Sequence, residues 1–153
     1  MTSPIDTPYR GGFVGAEHRF AITVYFEDTD AFGVVYYPNY LKFMERARSD
    51  MILATGVNHF DRFNEDGCTY VVAEVQVRYL RSARAGDAIV VVSTVEQVRA
   101  SSVIIQQRVM RGAETLTDGR VTAAFVTPEG RPLRQPKHWV EAFRAAARGE
   151  AKA

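Results

Sequence analysis

The sequence is poor in cysteine, in net charge and in long apolar runs, and each shortage removes a class of protein. Its one cysteine, Cys68, excludes an internal disulfide and any multi-cysteine metal centre, and it fits a reducing compartment. Nineteen lysines and arginines stand against eighteen acidic residues, a net charge of +1. Domains organised around nucleic acid carry a clear basic excess instead. No stretch reaches the roughly 20 apolar residues of a membrane span. Met1 to Gly12 lacks the apolar centre of a secretory signal. The expectation is a soluble, cytoplasmic protein with no membrane insertion and no nucleic-acid partner. The three histidines, His18, His59 and His138, are scattered without paired spacing, so neither a metal nor another cofactor is expected.

What the chain does have is ordinary in amount and specific in arrangement. Its 153 residues, 46% hydrophobic and 24% charged, fit one domain with a respectable core. Residues 1–18 read as a flexible or draped tail, because Pro4, Pro8 and Gly11-Gly12 interrupt any period; residues 19–148 read as the single domain. Phe20–Phe26 is β-branched and aromatic, which predicts a strand. After it come three carboxylates, Glu27, Asp28 and Asp30, and a turn through Gly33.

Pro38 then opens a segment in which Tyr40, Phe43, Met44, Ala47, Met51 and Ala54 recur at helical spacing as far as Gly56. The spacing predicts a helix of about five turns. Val57–Gly67, rich in Asn, Asp and Gly, reads as a loop. Thr69–Leu80 alternates, with Val71, Ala73, Val75, Val77 and Tyr79 on one face. Further strands are predicted over Ala88–Val98, Val103–Arg111 and Thr115–Thr127, with Asp118-Gly119 read as a bulge or a late strand start, and a short helix over His138–Arg148. Turns this short make neighbouring strands antiparallel. The predicted class is α+β: one antiparallel sheet wrapped around a single long central helix.

The acidic cluster admits several chemistries. Asp28, Asp30 and Gly33 match three positions of a calcium loop, but Phe32 and Asn39 occupy two others that must supply ligands. An Asp-x-Asp magnesium site lacks any accompanying phosphate-cradling loop. Asp28 suits a capping role. Asp30, next to a turn and an apolar wall, is placed where partial desolvation makes a carboxylate a better base or nucleophile. Glu45, on the helix, reads as a solvated or ion-paired neighbour of Arg46, Arg48 and Ser49. Cys68 reads as structural.

The run Tyr25–Arg48, together with Val75-x-Val-x-Tyr-Leu-x-x-Ala-Arg-x-Gly-Asp87, resembles the hotdog-fold acyl-CoA thioesterases of the 4-hydroxybenzoyl-CoA thioesterase and Tol-Pal-associated type, over roughly residues 18–138. The resemblance implies the hotdog fold and an acyl-CoA substrate. It also implies a homodimer or homotetramer with active sites at the subunit interface. It assigns catalysis to Asp30, as nucleophile or general base, and oxyanion binding to the backbone N–H of Tyr37. Gly33, Tyr36, Tyr37, Thr69 and Val71 become substrate-binding candidates, the last two from the partner subunit.

Tyr37 stands where many Tol-Pal-type members have histidine. With Phe32 and Tyr36 it is expected to wall a pocket for a short or aromatic acyl group. Arg78, Arg81, Arg84 and Arg99 are candidates for the CoA phosphates. A dehydratase would need a histidine between His18 and His59, which is absent. A protein that binds acyl-carrier protein or scaffolds other enzymes, with weak or no hydrolysis, is the alternative reading.

Overall fold

The computed structural model describes residues 3–151; Met1 and Thr2 of the expected tail lie outside the described residues. Six strands form one antiparallel sheet: β1 (Gly12–Val14), β2 (Glu17–Thr23), β3 (Thr69–Tyr79), β4 (Ala88–Val98), β5 (Ser102–Arg111) and β6 (Glu114–Val126). Their spatial order is β1-β2-β4-β5-β6-β3. The long helix α1 (Asn39–Ala54) is inserted between β2 and β3 in the chain, and it crosses the inner face of the sheet. Its stripe of Tyr40, Phe43, Met44 and Ala47 packs on Phe20, Ile89, Val91, Val109 and Val121. Further along, Met51 and Ile52 join Val95, Ile105 and Phe125 in a second cluster, which α3 (Lys137–Ala147) completes with Trp139 and Phe143.

A polar row crosses this apolar core. His18, Ser93, Gln107 and Gly119 face one another in register across β2, β4, β5 and β6. His18, Ser93 and Gln107 are fully buried, and each finds a hydrogen-bond partner. Gly119 completes the row without a side chain because α1 passes over it. A Cβ there would come within 2.9 Å of Met44 Cε and 3.1 Å of the Gln76 carbonyl. The sequence predicts a bulge or a late strand start at Asp118-Gly119, but β6 already runs from Glu114. The irregularity lies instead between Val109 and Met110, opposite Leu116, and Gly119 serves helix packing.

Other boundaries also moved. The tail boundary at residue 18 falls inside β2, and the Gly11-Gly12 pair leads into β1, which pairs with β2 through Gly12↔Arg19. Arg10 and Gly11 are tied to Asp50 of α1. The first predicted strand ends at Thr23, opposite the start of β4 at Ala88; Phe26–Asp28 forms a 3₁₀ turn with Phe26 exposed. The predicted loop 57–67 contains α2 (His59–Asp66). Its start is capped by Asn58 Oδ1 accepting from the Asp61 N–H, and its end by Gly67 at φ 77°. Phe60 and Phe63 of α2 remain exposed, so no inward apolar stripe announced it.

In β3 a bulge between Val72 and Glu74 adds one residue and reverses the faces before it. Tyr70 and Val72 therefore share the inner face with Val75, Val77 and Tyr79, while Val71, expected there, is opposite Ala124 on the outer face.

Candidate active site

The acidic motif folds into two nested turns. Asp28 anchors the first: its Oδ2 accepts from the Tyr25 N–H at 2.9 Å, and its carbonyl accepts from the Tyr36 N–H and from Asn39 Nδ2, both at 2.9 Å. The second is a tight reversal in which the Asp30 N–H donates to the Val34 carbonyl and the Gly33 N–H to the Asp30 carbonyl. Gly33 adopts φ 77°, which costs a residue without Cβ little. Asp30 Oδ1 accepts from the Phe32 N–H at 2.8 Å, an Asx turn that fixes the carboxylate's orientation. Oδ2 has no protein partner among the described residues and is left for other work.

The chain then runs straight to the start of α1. Val34 bridges Arg84, and the Val35 N–H donates to the Ala83 carbonyl at 2.8 Å. The buried Ala83 donates its own N–H to the Tyr40 hydroxyl at 2.9 Å, and burial pushes the Tyr40 phenol up from its ordinary value. The β3–β4 connection and the first turn of α1 thus hold the acidic loop from behind. Asp87 pins that connection by accepting from the Arg84 N–H and from Arg111, both at 2.8 Å. These bonds hold its carboxyl below the usual range.

At the helix start the N–H groups of Asn39, Tyr40 and Leu41 donate to the Tyr36, Tyr37 and Pro38 carbonyls. Pro38 has no N–H. The Tyr37 N–H has no protein acceptor among the described residues. It stands at the amino-terminal, positive end of the α1 dipole.

The sequence-predicted residues divide into two groups. Asp30, Gly33, Tyr36 and Tyr37 are together in this loop. The Tyr37 ring lies 5.5 Å from Tyr36 and 5.7 Å from Tyr79, whose ring is 5.8 Å from Tyr40. Tyr79, expected on a strand face and in the family-like run, joins this aromatic group. Phe32 is exposed beside them. Thr69 and Val71 are at the opposite end of β3, opposite Val126 and Ala124. At about 3.3 Å per residue, β3 carries Val71 some 26 Å from Tyr79. One protomer therefore does not bring the two groups together.

The arginines divide as well. Arg81 pairs with Glu114 at 3.5 Å. Arg99 belongs to a basic hollow of about 410 Å³ with Arg134, Lys137 and Arg144, between the β4–β5 turn and α3. None of these four forms an ion pair among the described residues. Glu45 is exposed and accepts from Ser49 Oγ at 2.9 Å.

One antiparallel sheet around a central helix, with an acidic turn at that helix's start, defines the hotdog thioesterase class. The Thioesterase-like superfamily model matches residues 24–146. The chain belongs to that family. It is 33% identical to the acyl-CoA thioesterase YbgC of Haemophilus influenzae over 81% of this chain and 92% of the relative. It is 32% identical to the YbgC acyl-CoA thioester hydrolase of Escherichia coli O6:H1 over 82% of this chain and 95% of that protein. Among solved structures, a probable thioesterase from Bartonella henselae superposes with a TM-score of 0.75 at 28% identity, covering 78% of this chain and 99% of the other. The 4-hydroxybenzoyl CoA thioesterase of Pseudomonas sp. strain CBS-3 shares the fold, with a TM-score of 0.75 at 18% identity over 82% and 98% of the two chains.

Proposed function

We propose that the protein is an acyl-CoA thioesterase that releases a short-chain or aromatic acid and CoA. One observation carries the reading: Asp30 Oδ2 and the Tyr37 N–H, each without a protein partner among the described residues, occur in consecutive turns of one loop. The thioester carbonyl oxygen docks on the Tyr37 N–H. Either Asp30 removes a proton from a water whose oxygen adds to the carbonyl carbon, or Asp30 adds directly and water later cleaves the mixed anhydride. In both routes the C–S bond breaks and the CoA thiolate leaves and is protonated. Phe32, Tyr36, Tyr37 and Tyr79 supply aromatic walls that favour a short or aromatic acyl group. The expected compartment is the cytoplasm, where the lone Cys68 stays reduced.

The free edge of β3 supports a dimeric or tetrameric assembly. It exposes Val71, Val72, Val75, Tyr79 and Leu80, a long apolar edge that a monomer would leave open to pairing. Two such edges related by a twofold axis pair antiparallel. The Thr69 end of one strand then meets the Tyr79 end of the other. That places Thr69, Val71 and the basic hollow of one protomer beside Asp30 of its partner. The hollow, rather than Arg81, is then the seat for the CoA phosphates.

Two assays test this. A panel of aromatic, short-chain and long-chain acyl-CoAs, followed with a thiol-reactive dye, should show turnover favouring the first two. Turnover of none would support the reading as an acyl-carrier-protein binding or scaffolding protein. The double variant Arg134→Ala/Arg144→Ala should raise KM for acyl-CoA about tenfold, with kcat little changed. It should leave the corresponding S-acyl pantetheine, which lacks the nucleotide, unaffected. An unchanged KM would remove the hollow from CoA binding.

A further inference from the structure

Asn39 is the first residue of α1, yet its side chain does not serve that helix. Asparagine is among the best helix caps, but the cap position belongs to Pro38, which offers no side-chain bond. The Asn39 amide instead reaches back eleven residues, where its Nδ2 donates to the Asp28 carbonyl at 2.9 Å. Among the described residues no other side-chain hydrogen bond runs from α1 to residues 27–36; the neighbouring Tyr40 hydroxyl goes to Ala83.

The Asp28 carbonyl is where the two halves of the site meet, since it also accepts from the Tyr36 N–H at 2.9 Å. From it the chain runs two residues to Asp30, along a short ladder in which Thr29 bridges Val35 and the Asp30 N–H donates to the Val34 carbonyl. On the other side Tyr36 leads directly to Tyr37. The Tyr36–Tyr37 peptide is trans and planar, so the Tyr37 N–H points opposite to the Tyr36 carbonyl. That carbonyl accepts from the Asn39 N–H at 2.8 Å. Asn39 thus holds the Tyr37 amide twice. Its backbone N–H fixes the amide plane, and its side chain ties the helix start to the carbonyl from which Asp30 is suspended.

We propose that Asn39 is a positioning residue, whose side-chain amide sets the separation between the Asp30 carboxylate and the Tyr37 N–H. It thereby sets the approach of the attacking oxygen to a carbonyl docked on that N–H. The inference rests on the thioesterase reading and adds a residue to it.

Asn39→Ala is made in the full-length protein, alone and together with Asp30→Asn, and acyl-CoA hydrolysis and melting are measured. Alone it should lower kcat by between about tenfold and a hundredfold, with KM within about threefold of the parent. Alanine is the better helix former, so the melting temperature should stay within about 3 °C of the parent. In the Asp30→Asn background the same change should cost less than about threefold, because the separation it disturbs no longer governs the rate. Should Asn39→Ala fail to fold, Asn39→Ser takes its place with the same expectations, being suited to a helix start and too short to reach the Asp28 carbonyl. An unchanged kcat, a loss carried by KM alone, or an equal loss in both backgrounds would overturn the assignment. A parent that hydrolyses no acyl-CoA would remove the thioesterase reading and this one with it, whereas an active parent indifferent to Asn39→Ala would remove only this one.

Discussion

Asp30→Asn is expected to lower kcat/KM for the best acyl-CoA by about a thousandfold, within the range of about 10²–10⁴ assigned to a positioned acid or base. That corresponds to about 4 kcal/mol of lost transition-state stabilisation. The expectation rests on geometry that the substitution preserves. Asn presents the same Oδ1 to the Phe32 N–H and forms the same Asx turn, so the loop and the Tyr37 N–H stay in place. What is lost is the negative charge and basicity at the second position, where Asp30 makes no other bond among the described residues. Circular dichroism and the melting temperature should therefore match the parent, and the variant should still bind a non-hydrolysable acyl-CoA analogue. Activity within tenfold of the parent would move the chemistry to another carboxylate. Glu45, exposed on α1 and bonded to Ser49, would be the next to test.

Asp28 and Asp30 differ in geometry although they belong to one motif. The two carboxylates are two residues apart, yet one accepts a backbone N–H across a 3₁₀ turn and the other stands at a hairpin tip. The glycine turn, the apolar run and the proline that follow the two carboxylates set these local geometries, and those are local signals. Helix α1 and the antiparallel order were legible for the same reason, since periodicity and short turns act within a few residues. Helix α2 was not, because its apolar residues stay exposed and only its caps identify it.

The β3 bulge was illegible too. Tyr70, Val72, Val71 and Ala73 are all acceptable on either face, so alternation alone could not show that one residue is extra. Nothing local sets one arginine apart from another; only the fold gathers Arg99 with Arg134, Lys137 and Arg144 from distant parts of the chain. The His18–Asp50 contact, across 32 residues of sequence, likewise has no local signature.

That contact makes loss of the Asp50 side chain costly to the fold. Its carboxylate is 6% exposed. It accepts from Arg10 Nε at 2.6 Å and the Gly11 N–H at 3.0 Å, and it bonds the fully buried His18 Nε2 at 2.8 Å. Asp50→Ala leaves an imidazole nitrogen and a backbone N–H without partners. Arg10 is half exposed and can turn to water, so the cost falls at the low end of the range for a broken buried pair, about 3 kcal/mol. For a domain of this size that lowers the melting temperature by roughly 6–12 °C.

Burial of the same histidine sets an acid sensitivity, which the contact with Asp50 opposes. Burial lowers the pKa of His18 below 6.5 against the opposing pull of Asp50, and burial does the same to His59 against Glu45. The unfolded chain therefore takes up protons first as the pH falls. Stability is full above about pH 6.5 and declines below it, by at most about 1.4 kcal/mol per pH unit for each histidine. In Asp50→Ala the two influences that raise the His18 value are gone, so the decline should continue to lower pH than in the parent. Urea unfolding at pH 7.5, 6.0 and 5.0 measures both effects. A variant that melts within 2 °C of the parent would mean that Asp50 and His18 do not clamp the amino-terminal hairpin to α1, and a parent equally stable at all three values would mean that burial does not depress the two histidines.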